Sequence, residues 1–271
     1  MILAHTAWDL AEASRGRFIL GLGTQVKGHN ERRFSVPWSS PGPRLRELVL
    51  ALKAIWDCWQ NGTPLNFRGE HYSFTLMTPF FNPGPIHHPN IPIHLAAINP
   101  YNCRLVGELA DGIQIHPFHS VSYIRETILP SIKEGLTKSG RSRSDITLAA
   151  PAFIVTGTSG KELADAKRAV KSQIAFYAST RTYKPVLDAH GWGDLGSRLY
   201  RKSVEGDWTG MADLLTDEML QVFAVVGPLD EVASRLRERY DGLLDRVSPY
   251  LPWETEGGRA FLSRLVKAFK G

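Results

Sequence analysis

The sequence predicts an α/β protein built on parallel strands, and three observations carry that prediction. Short apolar runs alternate along the chain with longer stretches whose apolar residues recur at helical spacing. Each run is followed by such a stretch, which is how a strand–helix repeat lays successive strands in one direction. The first run, residues 18–22, passes straight into a glycine-relieved polar loop, Gly23-Thr-Gln-Val-Lys-Gly-His-Asn30. In parallel α/β proteins, loops at the carboxyl ends of strands build the ligand site.

The elements follow in order. Residues 4–14 form a helix, with Leu3, Ala7, Leu10 and Ala11 on one stripe, and Gly16 stops it. Strand 17–22 comes next. Beyond the loop 23–43, residues 44–60 carry Leu48, Leu52, Ile55 and Trp59 at helical spacing, and Asn61-Gly62 closes that helix. Residues 65–74 read as a small hairpin with Arg68-Gly69 near its turn, and the prolines of 79–92 impose an extended loop. Three regular pairs follow: strand 91–97 with helix 101–110, strand 112–116 with helix 121–139, and strand 146–155 with helix 161–178. A less regular helical region, about 182–221, precedes helix 229–240, strand 246–251 and a last helix near 259–269. These are five strands. A closed barrel needs eight, and a doubly wound sheet of five fits the same alternation, so periodicity leaves both open.

Composition bounds the function. At 271 residues and 43% apolar content, the chain can bury one sizeable core, as one domain or two small ones. Its 32 basic and 27 acidic residues give a net charge of +5, scattered along the chain. That suits an acidic small ligand and lacks the clustered basic stripe of a nucleic-acid binder. Cys58 and Cys103 have neither metal-ligand spacing nor disulfide density, which points to a reducing cytosol. Asp9 and Glu12 argue against a signal peptide, and no apolar run approaches the roughly 20 residues a bilayer span needs. A cytoplasmic protein with no membrane partner is expected.

Three segments carry a resemblance: Ala7-Trp-Asp-Leu-Ala-Glu-Ala-Ser-Arg-Gly-Arg-Phe-Ile-Leu-Gly-Leu-Gly23, Ile93-His-Leu-Ala-Ala-Ile-Asn-Pro100 and Gly107-Glu-Leu-Ala-Asp-Gly-Ile113. In order and spacing they resemble the luciferase-like monooxygenase superfamily, within it the branch of oxidoreductases that use the deazaflavin coenzyme F420. Leu76-Met-Thr-Pro-Phe-Phe-Asn-Pro-Gly84, Gln173-Ile-Ala-Phe-Tyr177 and His190-Gly-Trp-Gly-Asp194 look like one subfamily of that branch. The resemblance covers essentially the whole chain. It implies a single domain over 1–271, a TIM-type (β/α)8 barrel in which residues 17–22 are the fourth strand. On that reading the chain is N-terminally truncated, with about five of the eight strands present. The family's first-strand acid or base and third-strand cis peptide then have no counterpart.

Candidate site residues divide by position. Loops that follow strands lie on the ligand face of a barrel; 23–30, 98–100, 116–119, 156–160 and 249–253 qualify. The basic loop Arg141-Ser-Arg143 precedes a strand and reads as a solvated turn. Gly21 and Gly23 let a flat ring approach the backbone, or simply make a tight strand exit. As a nucleotide fingerprint the run is weak, lacking the third glycine. The resemblance turns Gly21, Gly23, Thr24 and Gln25 towards a cofactor and makes Asn30 an amide that reaches it. Ala97, Ile98 and Asn99 end a strand before a helix, where backbone N–H groups suit a phosphate and Asn99 equally suits a plain cap. His116 and His119 follow the next strand and are candidates for donating a proton or holding a polar substrate group; the commoner role of such a histidine is packing. Asp111-Gly112 lies at the wrong strand end for chemistry and is expected to hold the strand start. Arg32, Arg33, Arg44 and Arg46 are available to an acidic cofactor tail, although exposed arginines are usually only solvated. No metal site is expected.

The resemblance therefore implies hydride transfer between F420 and a small organic substrate. The alternatives are a flavin mononucleotide monooxygenase acting on paired donors, a non-catalytic remnant, and a small-ligand binding protein. A barrel lacking three strands leaves open edges and an exposed apolar interior, which predicts a homodimer.

Overall fold

The structure is a computed structural model that describes residues 1–250 and 256–270. In chain order the elements are α1 (Ile2–Ala13), β1 (Leu20–Leu22), α2 (Lys27–Arg32), α3 (Pro41–Asn61), β2 (Phe67–Arg68), β3 (Ser73–Phe74), β4 (Ile93–Ala97), α4 (Pro100–Leu109) and β5 (Gly112–Ile115). Then come α5 (Val121–Tyr123), a π turn (Ile124–Ile128), α6 (Leu129–Ser139), β6 (Thr147–Val155), α7 (Gly160–Ala178), α8 (Lys184–Asp188), α9 (Gly193–Glu205), α10 (Trp208–Ala212) and α11 (Asp217–Phe223). The chain ends with β7 (Ala224–Val226), α12 (Val232–Tyr240), β8 (Arg246–Tyr250) and α13 (Glu256–Lys270). Two compact units emerge: Met1–Gln114 with Ser131–Thr147, and Ile115–Pro130 with Leu148–Gly271.

In the first unit, α1 buries Ala4, Ala7, Trp8 and Ala11, one face at helical spacing. It closes where Gly16 takes φ +74° and returns its N–H to the Ala11 carbonyl. The Phe18 N–H goes to Ser14 Oγ at 2.9 Å, so the chain is still part of the helix exit there. This is why the strand begins at Leu20 rather than at residue 17. β1 pairs in parallel with β4, Leu20 opposite Ile93 and Leu22 opposite Leu95. The helix α3 buries Leu45, Val49, Leu52, Ile55, Trp56 and Trp59. Its Glu47 carboxylate accepts the N–H groups of Glu70, His71 and Tyr72 at 2.8–3.2 Å, pinning the turn of the expected hairpin, β2–β3. The helices α4 and α6 cross backbone to backbone: a Cβ on Gly107 would collide with the Ile132 carbonyl, and one on Gly135 with that of Arg104.

Strand starts in this unit are set by Asp111. Its N–H donates to the Ile93 carbonyl and its carboxylate accepts the Ile93 N–H, both at 2.8 Å, while its own carbonyl accepts from Thr147. The expected structural role of Asp111-Gly112 is thus what the geometry shows. Arg141 and Arg143 depart from a merely solvated turn. Arg141 donates to the Gly107 carbonyl and Arg143 to that of Ile146, closing the exposed ends of α4 and the turn before β6.

In the second unit, β6 pairs in parallel with β7, Phe153 opposite Ala224, and with β8, Ala149 opposite Arg246. Asp245 repeats the Asp111 device: its N–H donates to the Leu148 carbonyl and its carboxylate takes the Leu148 N–H at 2.7 Å. The strand β7 adds to the five expected. It is three residues long and continues directly from α11, so its sequence carries no alternation to read. The helix expected over 121–139 is interrupted by the π turn, and the irregular 182–221 region resolves into α8–α11. Residues Leu251 and Trp253, expected in the last strand and its loop, lie outside the described residues.

His119 fixes the loop leaving β5. The side chain is fully buried. Its Nδ1 donates to the His116 carbonyl at 2.7 Å and its Nε2 accepts the Tyr240 hydroxyl at 3.0 Å. A carbonyl can only accept, so these partners select one neutral tautomer. Burial pushes the ring down to about 4 from its ordinary 6.5. Between those values the unfolded chain binds a proton that the folded chain refuses, so the stability this site contributes is present above pH 6.5 and lost as pH falls towards 4.

Two predictions follow from this architecture. Replacing Asp111 by alanine leaves the Ile93 N–H without its acceptor and lowers unfolding stability by about 1–3 kcal/mol in urea titration, with the fold retained. The stability advantage of the wild type over His119→Gln shrinks by about 2 kcal/mol between pH 7 and pH 5; an advantage that stays constant with pH would contradict the neutral buried ring.

Candidate cofactor and substrate site

Two sets of strand ends carry the candidate residues, one in each unit. In the first, Gly21 stands opposite His94 in the β1–β4 register, so the two share a face of the pair. A Cβ placed on Gly21 meets nothing within 4 Å, which leaves open space beside the strand. Gly23 differs: a Cβ there would lie 3.1 Å from that of Ala96, so its smallness serves the close approach of the strands. Thr24 offers its carbonyl to Asn30 Nδ2 at 3.1 Å, which ties the loop into a ring. Gln25 adopts φ +55° and its Oε1 accepts the Val26 N–H, a local turn contact on an exposed residue. The next strand end buries Ala97 and Ile98, leaving backbone rather than side chains at its surface. Asn99 stands at the N-cap of α4 without a side-chain capping bond, and Pro100 fills the first helical position.

The loop after β1 and the start of α3 enclose a cavity of about 190 Å³, lined in part by Gly23, Thr24, Asn30, Trp38, Arg44 and Tyr72. This brings together three of the expected cofactor residues. It also singles out Arg44 from the four arginines: its Nε donates to the Tyr72 hydroxyl at 3.0 Å. Arg46 pairs with Glu108, and Arg32 and Arg33 are exposed. Trp38, Tyr72 and the buried His94 were not anticipated. An isolated histidine in an otherwise apolar strand is the signal that marks His94.

In the second unit, His116 follows β5 within a cluster of rings. It stacks on Tyr183 at 4.4 Å between centroids and meets Tyr177 edge-on at 4.6 Å. The Phe118 N–H donates to His116 Nδ1 at 3.1 Å, so the neutral ring carries its proton on Nε2. That nitrogen has no hydrogen-bond partner among the described residues. Burial holds the ring at about 4, so it remains a neutral donor at physiological pH. Beside it, Gln173 Nε2 donates to the Tyr250 hydroxyl at 3.1 Å, and the hydroxyls of Tyr250 and Tyr177 lie 2.9 Å apart. Burial, and then the Tyr250 contact, raise Tyr177 above the ordinary phenol range. His119 has both nitrogens committed and no exposed surface, so of these two histidines His116 is the one with an uncommitted ring nitrogen. The 156–160 loop is closed on itself: Ser159 caps α7, and the Glu162 carboxylate takes both the N–H and the hydroxyl of Thr158.

Among the described residues, Glu47, Glu70 and His71 converge with donor atoms within 4.8 Å. The Glu47 carboxylate already accepts three backbone N–H groups, so the cluster is a hairpin clamp. No helix among the described residues is long and apolar enough to cross a membrane.

Comparison with known proteins fits this geometry. The chain is 48% identical over 249 residues to an uncharacterized protein of Mycobacterium tuberculosis, an alignment spanning 92% of this chain and 73% of that one. It is 30% identical over 242 residues to a 5,10-methylenetetrahydromethanopterin reductase of Archaeoglobus fulgidus, covering 88% of this chain and 68% of the relative. The solved structure of the coenzyme F420 dependent tetrahydromethanopterin reductase from Methanopyrus kandleri superposes with a TM-score of 0.74 at 20% identity, over 98% of this chain and 76% of that one. The fold is the parallel α/β fold of these luciferase-like reductases. With the luciferase-like monooxygenase profile matching residues 1–246, the chain belongs to the luciferase-like monooxygenase family.

Proposed function

We propose that this protein is an oxidoreductase that transfers hydride between coenzyme F420 and a small organic substrate. The observation that carries this reading is the open space at Gly21, a place on the strand that any side chain would fill. It adjoins a loop whose Asn30 amide and Thr24 carbonyl already hold each other in place. A flat ring system needs such a bare stretch of backbone, and the residues present fit one. The F420-dependent character of a structural relative supports F420 over a flavin mononucleotide.

F420, when bound, supplies a deazaflavin ring that gives or takes a hydride; the protein's share is binding, orientation and proton management. Gly21 keeps side chains away from the ring. Within the second unit, His116 carries a neutral Nε2–H suited to a polar group such as a carbonyl or hydroxyl. Its Nδ1 is held by the Phe118 N–H, so the ring cannot flip to present an acceptor without losing that bond. With its ring held at about 4, it stays a donor without charge across the physiological range. We also read the protein as a homodimer, supported by exposed Leu76, Phe80 and Phe81, of which Phe80 is 89% exposed.

Fluorescence titration with F420, using flavin mononucleotide as comparator, tests the cofactor assignment. Micromolar binding selective for F420 is expected. Gly21→Leu should abolish it while leaving the urea midpoint within about 0.5 kcal/mol of wild type after conversion, because the added side chain enters empty space. Equal F420 binding by Gly21→Leu would remove the reading. Light scattering at micromolar concentration should give twice the chain mass, and a monomer would remove the dimer.

A further inference from the structure

We propose that the 190 Å³ cavity between the β1 exit loop and α3 is an anion subsite, with Arg44 as its fixed cation, and that it receives the phosphate- and carboxylate-bearing tail of the cofactor. This rests on the cofactor reading above and goes beyond it by assigning the tail to a residue. The cavity is smaller than the roughly 300–1,000 Å³ of pockets that take a whole drug-sized ligand, so it suits an anionic group and its linker rather than a three-ring system.

Arg44 is distinguished from the other cations near it by what it lacks. Lys27 pairs with Glu31, and Arg46 with Glu108. Arg44 forms no ion pair among the described residues. Its guanidinium is nonetheless held: Nε donates to the Tyr72 hydroxyl, and its central carbon sits 5.8 Å from the centre of the Tyr72 ring. Fixing Nε in this way leaves the two terminal nitrogens, a planar pair of donors suited to bidentate contact with a phosphate or carboxylate. The nearby Glu47 makes no ion pair with it; its oxygens accept the backbone N–H groups of Glu70, His71 and Tyr72. The cavity wall offers polar groups at Thr24, Asn30 and Ser39 and no carboxylate. A half-buried, oriented and unpaired guanidinium in a concave site is a receptor for an anion.

Calorimetric titration of the wild type, Arg44→Gln and Arg44→Lys with three ligands tests this. The ligands are F420, the deazaflavin riboside that carries the same ring and polyol without phosphate or carboxylate, and inorganic pyrophosphate. Arg44→Gln should weaken F420 binding about tenfold to a hundredfold and leave the riboside unchanged, with Arg44→Lys recovering part of the loss. Pyrophosphate should bind the wild type more tightly than Arg44→Gln. If F420 and the riboside both fail on the wild type while pyrophosphate still distinguishes the two proteins, the cofactor reading falls and the anion subsite stands. If Arg44→Gln binds all three ligands like the wild type, the subsite is overturned. Should Arg44→Gln not fold, Tyr72→Phe frees Nε and should weaken F420 binding selectively; unchanged affinity there also overturns the proposal.

Discussion

The strand ends of this protein depend on two carboxylates at the opposite ends of the strands. Asp111 and Asp245 each use one backbone N–H and one side-chain oxygen to embrace a residue on a neighbouring strand, Ile93 in the first unit and Leu148 in the second. A parallel ladder can slip, and a slip of one residue would turn every side chain to the other face. A carboxylate that accepts the first N–H of a neighbouring strand fixes the register from that end. Phe153 then stands opposite Tyr250, because Asp245 sets the start of β8 against β6. The site is positioned by residues that have no part in its chemistry.

The exits are held by a different device, which works by desolvation. His116 and His119 are three residues apart and both are kept neutral, but their hydrogen bonds assign opposite tautomers. His119 carries its proton on Nδ1 because it faces a carbonyl; His116 carries it on Nε2 because Nδ1 receives the Phe118 N–H. One ring is spent entirely on structure and the other is left with a single free donor. The positive charge of Arg239 near His119, and the charge a protonated His119 would place on His116, work in the same direction as burial.

Much of the fold was legible in the sequence because it rests on short-range rules. Gly16 and Gly62 end α1 and α3 in the left-handed conformation, and the alternation of apolar runs locates β4, β5 and β6 within a residue or two. What escaped was decided by contacts between distant residues. β7 is three residues of strand whose identity comes from pairing with β6, and the short β1 reflects the hold of Ser14 on Phe18. At the site, the loop after β1 was readable from its glycines, and the division of labour between Gly21 and Gly23 was not. That division depends on whether Ala96 of another strand lies opposite. The choice of Arg44 among four arginines likewise depends on where Glu108 and Tyr72 fall in space.

The way the chain uses its acids bears on its ligand. Of the carboxylates, Asp111, Asp245, Glu47, Asp145 and Glu162 are each engaged by backbone N–H groups of turns or strand starts. A carboxylate so engaged keeps its negative charge but has few lone pairs left for a distant cation. With 27 acids against 32 bases, those five acids are withdrawn from a pool already in deficit. Cations on exposed helix faces still find partners at i+4, as Lys27, Lys161 and Lys184 do. A cation that turns inward beneath a loop has no such neighbour. The structural use of acids thus leaves Arg44 as a charge awaiting a partner, and an anionic ligand answers a deficit that the fold itself creates.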